Sequence, residues 1–250
     1  MSQSLKVALF VPCYVDQFYP QVGRAALELL EKCGCSVDYP NAQTCCGQPL
    51  ANSGMEQAAK PIYHHFVDTF STYDYIVAPS ASCAYHVAHH YDIIDQTEDV
   101  QKVRSSVYDM TAFLVDVLKV KALKARFPHK VGLHQSCHGL RGLQLARSSE
   151  QMMDDYSKWN DLLSMVSDIE LVQLDRPDEC CGFGGTFAVA EEAVSVKMGK
   201  DRVKDHLQSG AEFITSGDMS CLMHMEGLIR RNNWPIQVKH LVEILNSDGE

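Results

Sequence analysis

The sequence lacks the short motifs that mark the commonest redox and nucleotide-binding modules. It contains no Cys-x-x-Cys, which excludes a thioredoxin-type active site and a ferredoxin-type cluster module. It also has no Gly-x-Gly-x-x-Gly, the glycine pattern that receives the pyrophosphate of a dinucleotide. The chain therefore carries no recognisable hydride acceptor of its own.

Basic charge and long apolar segments are also scarce. The 250 residues include 22 basic and 32 acidic side chains, a formal net charge of −10. This balance argues against binding to nucleic acid or to an anionic membrane surface. No stretch approaches the roughly 20 apolar residues of a transmembrane helix. The N-terminal residues Met1 to Lys6 lack a signal-peptide layout, so a cytoplasmic location is expected.

Cysteine, in contrast, is abundant, and eight of the ten cysteines form one pattern written twice. In each copy a lone cysteine is followed by a vicinal pair and then by another lone cysteine. The first set is Cys13, Cys45, Cys46 and Cys83, and the second set is Cys137, Cys180, Cys181 and Cys221. The Cα atoms of two adjacent cysteines lie about 3.8 Å apart, below the usual disulfide range, which argues against a disulfide within either vicinal pair. Soft thiolates gathered in fours predict two metal or iron–sulfur sites.

The surroundings of the cysteines repeat as well, which indicates an internal duplication. Ser-Cys-x-x-His begins at both Ser82 and Ser220. A glycine follows each vicinal pair directly. The segment 113–118 also aligns without a gap on the segment 240–245.

These correspondences predict one repeat over residues 5–126 and a second over residues 127–246. No linker rich in proline, glycine or serine separates them. We therefore expect the repeats to pack closely, as two small domains or as one structural domain.

Apolar segments alternate with helical patterns in both repeats. This alternation predicts an α/β fold with two parallel-sheet, Rossmann-like halves related by an approximate twofold. Each cysteine of the two sets follows the C-terminal end of a predicted strand, the edge where open α/β sheets bind ligands. A capping-box spacing at Ser53 and Glu56 predicts a helix start. A long helix is predicted over 148–167, with Ser148 as its N-cap.

Several other residues are candidates for supporting roles around the sites. His86 and His224 follow a cysteine by three residues in both halves, and Gly47 and Gly182 follow the vicinal pairs. For these four residues we favour supporting contacts to a metal site over direct ligation. His134 and His138 flank Cys137 and are weaker candidates, because no counterparts flank Cys13. Cys33 and Cys35 are expected to be packing residues.

On the two cysteine sets, and on the segments Cys45 to Pro49 and Cys180 to Gly185, the chain resembles the CCG-domain (cysteine-rich) family. The resemblance covers nearly the whole chain and is strongest to the lactate-utilisation branch. The family also includes the cysteine-rich subunit of heterodisulfide reductase and the iron–sulfur subunit of glycolate oxidase. The resemblance implies that the eight cysteines hold one or two [4Fe–4S] clusters, or zinc in one or both sites. It also implies an electron-transfer subunit that oxidises L-lactate to pyruvate with separate iron–sulfur and accessory subunits.

One departure from the family pattern bears on the chemistry. The cysteine-rich subunit of heterodisulfide reductase ends each motif with Cys-x-x-Cys, but Ser80 and Asp218 stand where that additional cysteine would be. Four thiolates suit an ordinary [4Fe–4S] cluster or a tetrahedral zinc ion. A zinc-stabilised scaffold and a thiol-based reductase therefore stay open as alternatives. No residue is assigned a catalytic role from the sequence.

Overall fold

The computed structural model describes residues 6–249, which form two compact units. One unit ends at Lys119 and the other begins at Val120. Residue 5, the predicted start of the first repeat, lies outside the described residues, as does most of the N-terminal segment. Within residues 6–249, every helix is too short or too polar to cross a lipid bilayer.

The first unit is a four-stranded parallel sheet flanked by helices. Its strands are β1 Lys6–Leu9, β2 Ser36–Asp38, β3 Tyr75–Ala78 and β4 Val107–Asp109. Its helices are α1 Cys13–Phe18, α2 Pro20–Lys32, α3 Gln48–Asn52, α4 Glu56–Phe70, α5 Ala81–His90, α6 Glu98–Ser106 and α7 Met110–Ala112, which continues as a π-helical turn at Phe113–Val117. The strand order is β2-β1-β3-β4.

The sheet forms because its central strands are apolar on both faces. Val7, Ala8 and Leu9 in β1 are almost completely buried, as is usual for a parallel strand covered by helices on each side. Behind β1, Phe10 packs edge-to-face against Phe66 of α4, with ring centroids 5.0 Å apart. This aromatic contact anchors α4 to the sheet.

The second unit repeats this architecture. Its strands are β5 Lys130–Leu133, β6 Glu170–Leu171, β7 Phe213–Ser216 and β8 Gln237–His240. Its helices are α8 Lys158–Leu163, α9 Phe187–Ala190, α10 Glu192–Gln208, α11 Met219–Asn232 and α12 Leu241–Leu245, and a π-helical turn covers His138–Gly142. All strands are parallel and the order is β6-β5-β7-β8, the same order as in the first unit. The predicted α/β class with two parallel-sheet halves is therefore confirmed.

One predicted helix start is wrong, and at another the predicted N-cap is wrong. The chain from Ser148 onward is irregular, and α8 begins at Lys158 with Ser157 as its N-cap, whose hydroxyl accepts from the amide of Asn160 at 3.2 Å. An antiparallel bridge between Ala146 and Ser157 holds the preceding segment extended. Helix α4 does begin at Glu56, but its N-cap is Met55. Ser53 is instead the C-cap of α3, and its hydroxyl donates to the carbonyl of Pro49 in the first turn of that helix.

The alignment of residues 113–118 with 240–245 is displaced by about one helical turn. Ala78 of β3 pairs with Asp109, whereas Ser216 of β7 pairs with His240. Asp109 and His240 are also the N-caps of the helices that follow β4 and β8, so they are the equivalent residues. A shift of four residues keeps apolar side chains on the same helix face, which is why the sequences still match.

Candidate metal centres

The first unit brings its four predicted cysteines to the C-terminal edge of the sheet. Cys13 begins α1 just after β1, the pair Cys45–Cys46 lies in the loop between β2 and α3, and Cys83 lies in the first turn of α5 after β3. The sulfurs of Cys13 and Cys45 are 3.9 Å apart, and those of Cys46 and Cys83 are 3.4 Å apart. The set is thus two adjoining sulfur pairs, and each pair takes one residue of the vicinal Cys45–Cys46.

Gly47 shapes the loop around this set. Its φ is +87°, a left-handed conformation that side-chain-bearing residues rarely adopt. A Cβ at this position would lie 2.6 Å from Cε1 of Tyr63. The Gly47 amide donates to the Cys45 sulfur at 3.3 Å. A glycine is therefore required both for the turn and for the close approach of Tyr63.

Hydrogen bonds among the sulfurs favour a thiolate at one cysteine of the set and oppose it at two others. The thiols of Cys13 and Cys46, helped by the amide of Gly47, hydrogen-bond to Cys45 and lower its pKa to about 3. Conversely, the pKa of Cys13 is raised, first by its hydrogen bond to Cys45 and then by burial. The pKa of Cys46 is raised first by its hydrogen bonds to Cys45 and Cys83 and then by burial. A metal cation or cluster removes this restriction, because it neutralises the negative charge of several thiolates at once.

The second unit has the same arrangement of cysteines. Cys137 precedes the π-helical turn after β5, Cys180–Cys181 lie in the loop after β6, and Cys221 is in the first turn of α11 after β7. A hydrogen bond from Cys137 lowers the pKa of Cys180, and the amide of Gly182 donates to the Cys180 sulfur at 3.3 Å. The pKa values of Cys137 and Cys181 are raised, in each case first by the hydrogen bond to Cys180.

The second set also has a histidine beside it that the sequence analysis ranked low. A ring nitrogen of His134 and the sulfurs of Cys181 and Cys221 all lie within 4.8 Å of one another. The ring is buried, and neither nitrogen has a hydrogen-bond partner among the described residues. Burial, and then the nearby charge of Arg202, lower the pKa of His134 to about 3. Together with the thiolates, the imidazole gives a grouping of soft and borderline donors suited to metal binding.

The other predicted supporting histidines have protein partners. His86 is buried, and its Nε2 lies 3.0 Å from the hydroxyl of Tyr63, which also packs against Gly47. His224 is part-buried, with its Nε2 3.4 Å from the carbonyl oxygen of Ser195. Both lie near their cysteine sets, but neither joins the sulfurs in a compact donor group as His134 does. His138 is likewise outside that group.

The two remaining cysteines lie apart from both sets. Cys33 follows α2 and Cys35 directly precedes β2. Burial raises the pKa of both thiols. All ten cysteines are free of disulfide bonds.

Ser80 and Asp218, which replace the additional cysteine of the longer motif, cap the helices that carry Cys83 and Cys221. The Ser80 hydroxyl accepts from the amide of Cys83 at 3.3 Å and so fixes the first turn of α5. Asp218 is the N-cap residue of α11 and is buried. Both residues therefore stand at the N-cap of a helix that presents a cysteine, and the Ser80 side chain makes a capping hydrogen bond there.

The repeated geometry agrees with a family comparison. The model of the CCG cysteine-rich domain matches residues 7–88 and again residues 131–226. The chain belongs to the CCG cysteine-rich domain family. The two matches contain all eight cysteines of the two sets, so each repeat of this chain matches the domain once and carries one set.

Curated members of this family resemble the chain over nearly its whole length. Lactate utilization protein A 1 of Bacillus mycoides is 38% identical over 249 residues, covering 98% of each chain. Lactate utilization protein A of Halalkalibacterium halodurans is 39% identical over 247 residues, covering 97% of each. Lactate utilization protein A of Bacillus thuringiensis is 39% identical over 248 residues, covering 97% of this chain and 99% of the relative.

Likeness to solved structures is weak. A putative Asp/Glu racemase from Yersinia pestis superimposes with a TM-score of 0.38 at 11% identity, covering 97% of this chain and 96% of that one. A glutamate racemase from Bacillus anthracis gives a TM-score of 0.33 at 11% identity, covering 98% of this chain and 80% of that one. At these scores the likeness carries no argument about function.

Proposed function

We propose that this chain is an iron–sulfur electron-transfer subunit of a system that oxidises L-lactate to pyruvate. The observation that carries the proposal is the gathering of four cysteines at the strand edge of each unit, with sulfur pairs 3.9 and 3.4 Å apart in the first. The substrate is suggested by the curated relatives named lactate utilization protein A, which match this chain over nearly its whole length.

The eight cysteines are the proposed ligands, and each set is proposed to belong to one CCG repeat, over residues 5–126 and 127–246. When bound, an iron–sulfur cluster supplies one-electron transfer. The amides of Gly47 and Gly182 donate to cysteine sulfurs, and hydrogen bonds of this kind raise the reduction potential by stabilising negative charge. Cys46 and Cys181 are each only 2% exposed, so these two sulfurs are shielded from water.

Partner subunits are part of the proposal. Lactate loses two electrons and two protons when it becomes pyruvate, whereas a cluster passes electrons singly, so another cofactor must take the pair first. We propose that separate iron–sulfur and accessory subunits provide that cofactor and the onward path, and that the complex works in the cytoplasm.

The test is metal analysis of protein purified without oxygen. We expect iron and inorganic sulfide, about four of each per occupied site, together with broad visible absorption. Cys46→Ser and Cys181→Ser should each lower the iron content by removing a ligand from one set. The matched control is Cys33→Ser, which changes a part-buried cysteine outside both sets and should keep the full iron content.

A zinc-stabilised scaffold is the second candidate, and His134 is the observation that favours it. Zinc readily takes mixed nitrogen and sulfur ligands, and His134 lies beside Cys181 and Cys221. Zinc without iron, and without visible absorption, would favour this scaffold over the electron-transfer subunit. Metal-free protein with a reactive vicinal thiol pair would instead favour the thiol-based reductase.

A further inference from the structure

The two units place different residues at one equivalent position, directly after the first central strand. In the first unit the amide of Phe10 donates to the carbonyl of Val77 in β3, at 2.9 Å. In the second unit the amide of His134 donates to the carbonyl of Thr215 in β7, at 2.8 Å. Phe10 and His134 are therefore structural counterparts, three residues before Cys13 and Cys137 respectively.

The surroundings of this position differ in the same way. Phe10 packs edge-to-face on Phe66 and Phe70, which are four residues apart on α4. In the second unit the helix before the third strand, α10, instead carries Arg202 and His206 at the same spacing.

Arg202 forms a buried cluster with Asp205 and His206, connected by hydrogen bonds. Nε and Nη2 of Arg202 lie 3.2 and 3.0 Å from Nε2 of His206, and Nη1 donates to Asp205 at 3.0 Å. All three side chains are at most 1% exposed. The second unit has thus replaced an aromatic cluster with polar and charged groups beside its cysteine set.

His134 differs from these buried groups because its nitrogens have no hydrogen-bond partner within residues 6–249. A buried polar atom without a hydrogen-bond partner is destabilising, so a buried imidazole with two such atoms is unfavourable unless a bound group satisfies it. Cys181 and Cys221 each place a sulfur within 4.8 Å of a ring nitrogen of His134. The phenylalanine at the same position of the first unit shows that the fold itself does not need a histidine here.

We propose that His134 ligates the metal centre of the second set through a ring nitrogen, together with the thiolates of Cys181 and Cys221. The first centre then has sulfur donors alone, whereas the second has mixed nitrogen and sulfur donors. This inference rests on the proposed metal-binding role of the cysteine sets. It makes the two centres chemically unequal, because a neutral imidazole adds no negative charge and Arg202 lies nearby. For a redox centre, a nearby cation gives a higher reduction potential than the same thiolates would have without it, because it stabilises the added electron.

The test uses ¹¹³Cd²⁺ alone as a probe, because cadmium binds thiolate and imidazole ligands and its resonance position depends on the number of sulfur ligands. Metal-free reduced protein loaded with ¹¹³Cd²⁺ should give two resonances. The resonance altered by Cys181→Ser should show a ¹H–¹¹³Cd correlation to the ring protons of one histidine. The resonance of the first set should show no such correlation.

His134→Phe, which copies the residue of the first unit, should abolish the correlation and shift the second resonance. The matched control is His138→Phe, which should leave the correlation in place. If His134→Phe fails to fold, His134→Cys restores a soft donor and should move the resonance to the all-sulfur position of the first set.

A second resonance without a histidine correlation in the wild-type protein would overturn the assignment of His134. Cadmium binding requires neither iron, lactate nor partner subunits. A negative result here would therefore leave the proposed electron-transfer function standing, and loss of that function would leave the ligand assignment standing.

Discussion

Gly182 controls the loop of the second vicinal pair through its backbone and through its lack of a side chain. Its φ is +83°, and a Cβ would lie 2.7 Å from Cβ of Met198 and 2.8 Å from the carbonyl oxygen of Ser195. Its own carbonyl accepts from the Ser195 hydroxyl at 2.7 Å. One of these atoms is in the backbone of α10 and the other is bonded directly to it, so neither can move aside without displacing the helix.

Gly182→Ala should therefore lower the free energy of unfolding of the metal-free protein by about 3 kcal/mol, from left-handed strain and overpacking together. Gly210→Ala is the matched control, since Gly210 has a φ of +78° with no atom within 4 Å of the added Cβ. The control should lose only about 1 kcal/mol. Urea unfolding under reducing conditions measures both. Equal losses in the two variants would show that the contacts with α10 are unimportant.

At the scale of single residues, the sequence indicated which cysteines and glycines recur, but it gave little weight to His134, which lies beside Cys181 and Cys221. The cysteines and Gly47 and Gly182 repeat, so duplication makes them visible. His134 does not repeat, because Phe10 occupies its counterpart position. What distinguishes His134 is burial without hydrogen-bond partners among the described residues, a property of the folded protein that no local pattern contains.

At the scale of helices and strands, apolar patterns were enough for the central strands but not for every helix start. Ser148 fits an N-cap by residue type, yet its amide donates to the Gln151 side chain and the chain stays irregular until Ser157. The fourth strands, β4 and β8, were not predicted. They are three and four residues long, and their pairing with β3 and β7 is a tertiary contact.

Helix α10 carries a pH-sensitive group. Burial, followed by the nearby Arg202 and His134, lowers the pKa of His206 well below its usual value. Below about pH 6.5 the unfolded chain therefore binds a proton at this residue that the folded chain does not. The contribution of a neutral His206 to stability is complete above about pH 6.5, and is lost as the pH falls below that value, by up to about 1.4 kcal/mol per pH unit.

Between about pH 6.5 and pH 5, His206→Gln should lose stability less steeply than the wild-type protein. The variant lacks the side chain that gains a proton only in the unfolded chain. Urea unfolding of both metal-free proteins across this range measures the two slopes. Identical slopes would mean that His206 does not stay neutral in the folded protein. Asp205 is left unchanged, so the ion pair with Arg202 is the same in both proteins.

At the scale of the whole molecule, the duplication explains why the fold was predictable and why function was only partly so. Two units with the same strand order place two cysteine sets at equivalent strand edges. The repeated cysteines indicated this arrangement in the sequence. The two units differ in that one has the polar cluster of Arg202, Asp205 and His206 and the other has an aromatic cluster. This difference depends on tertiary packing and was not predicted.

Electron counting gives the last prediction. A hydroxy acid gives up a pair of electrons, and the sequence has no dinucleotide fingerprint to receive them. The purified chain should therefore not oxidise lactate, whereas reconstitution with the proposed partner subunits should give lactate-dependent reduction of an electron acceptor. In that complex Cys181→Ser should lower the rate by about 100-fold or more, since even residues that only support metal ligands cost about 10- to 100-fold. Cys33→Ser should keep the wild-type rate because Cys33 lies outside both sets. Rapid lactate oxidation by the single chain, or an unchanged rate in the Cys181 variant, would contradict the proposed role.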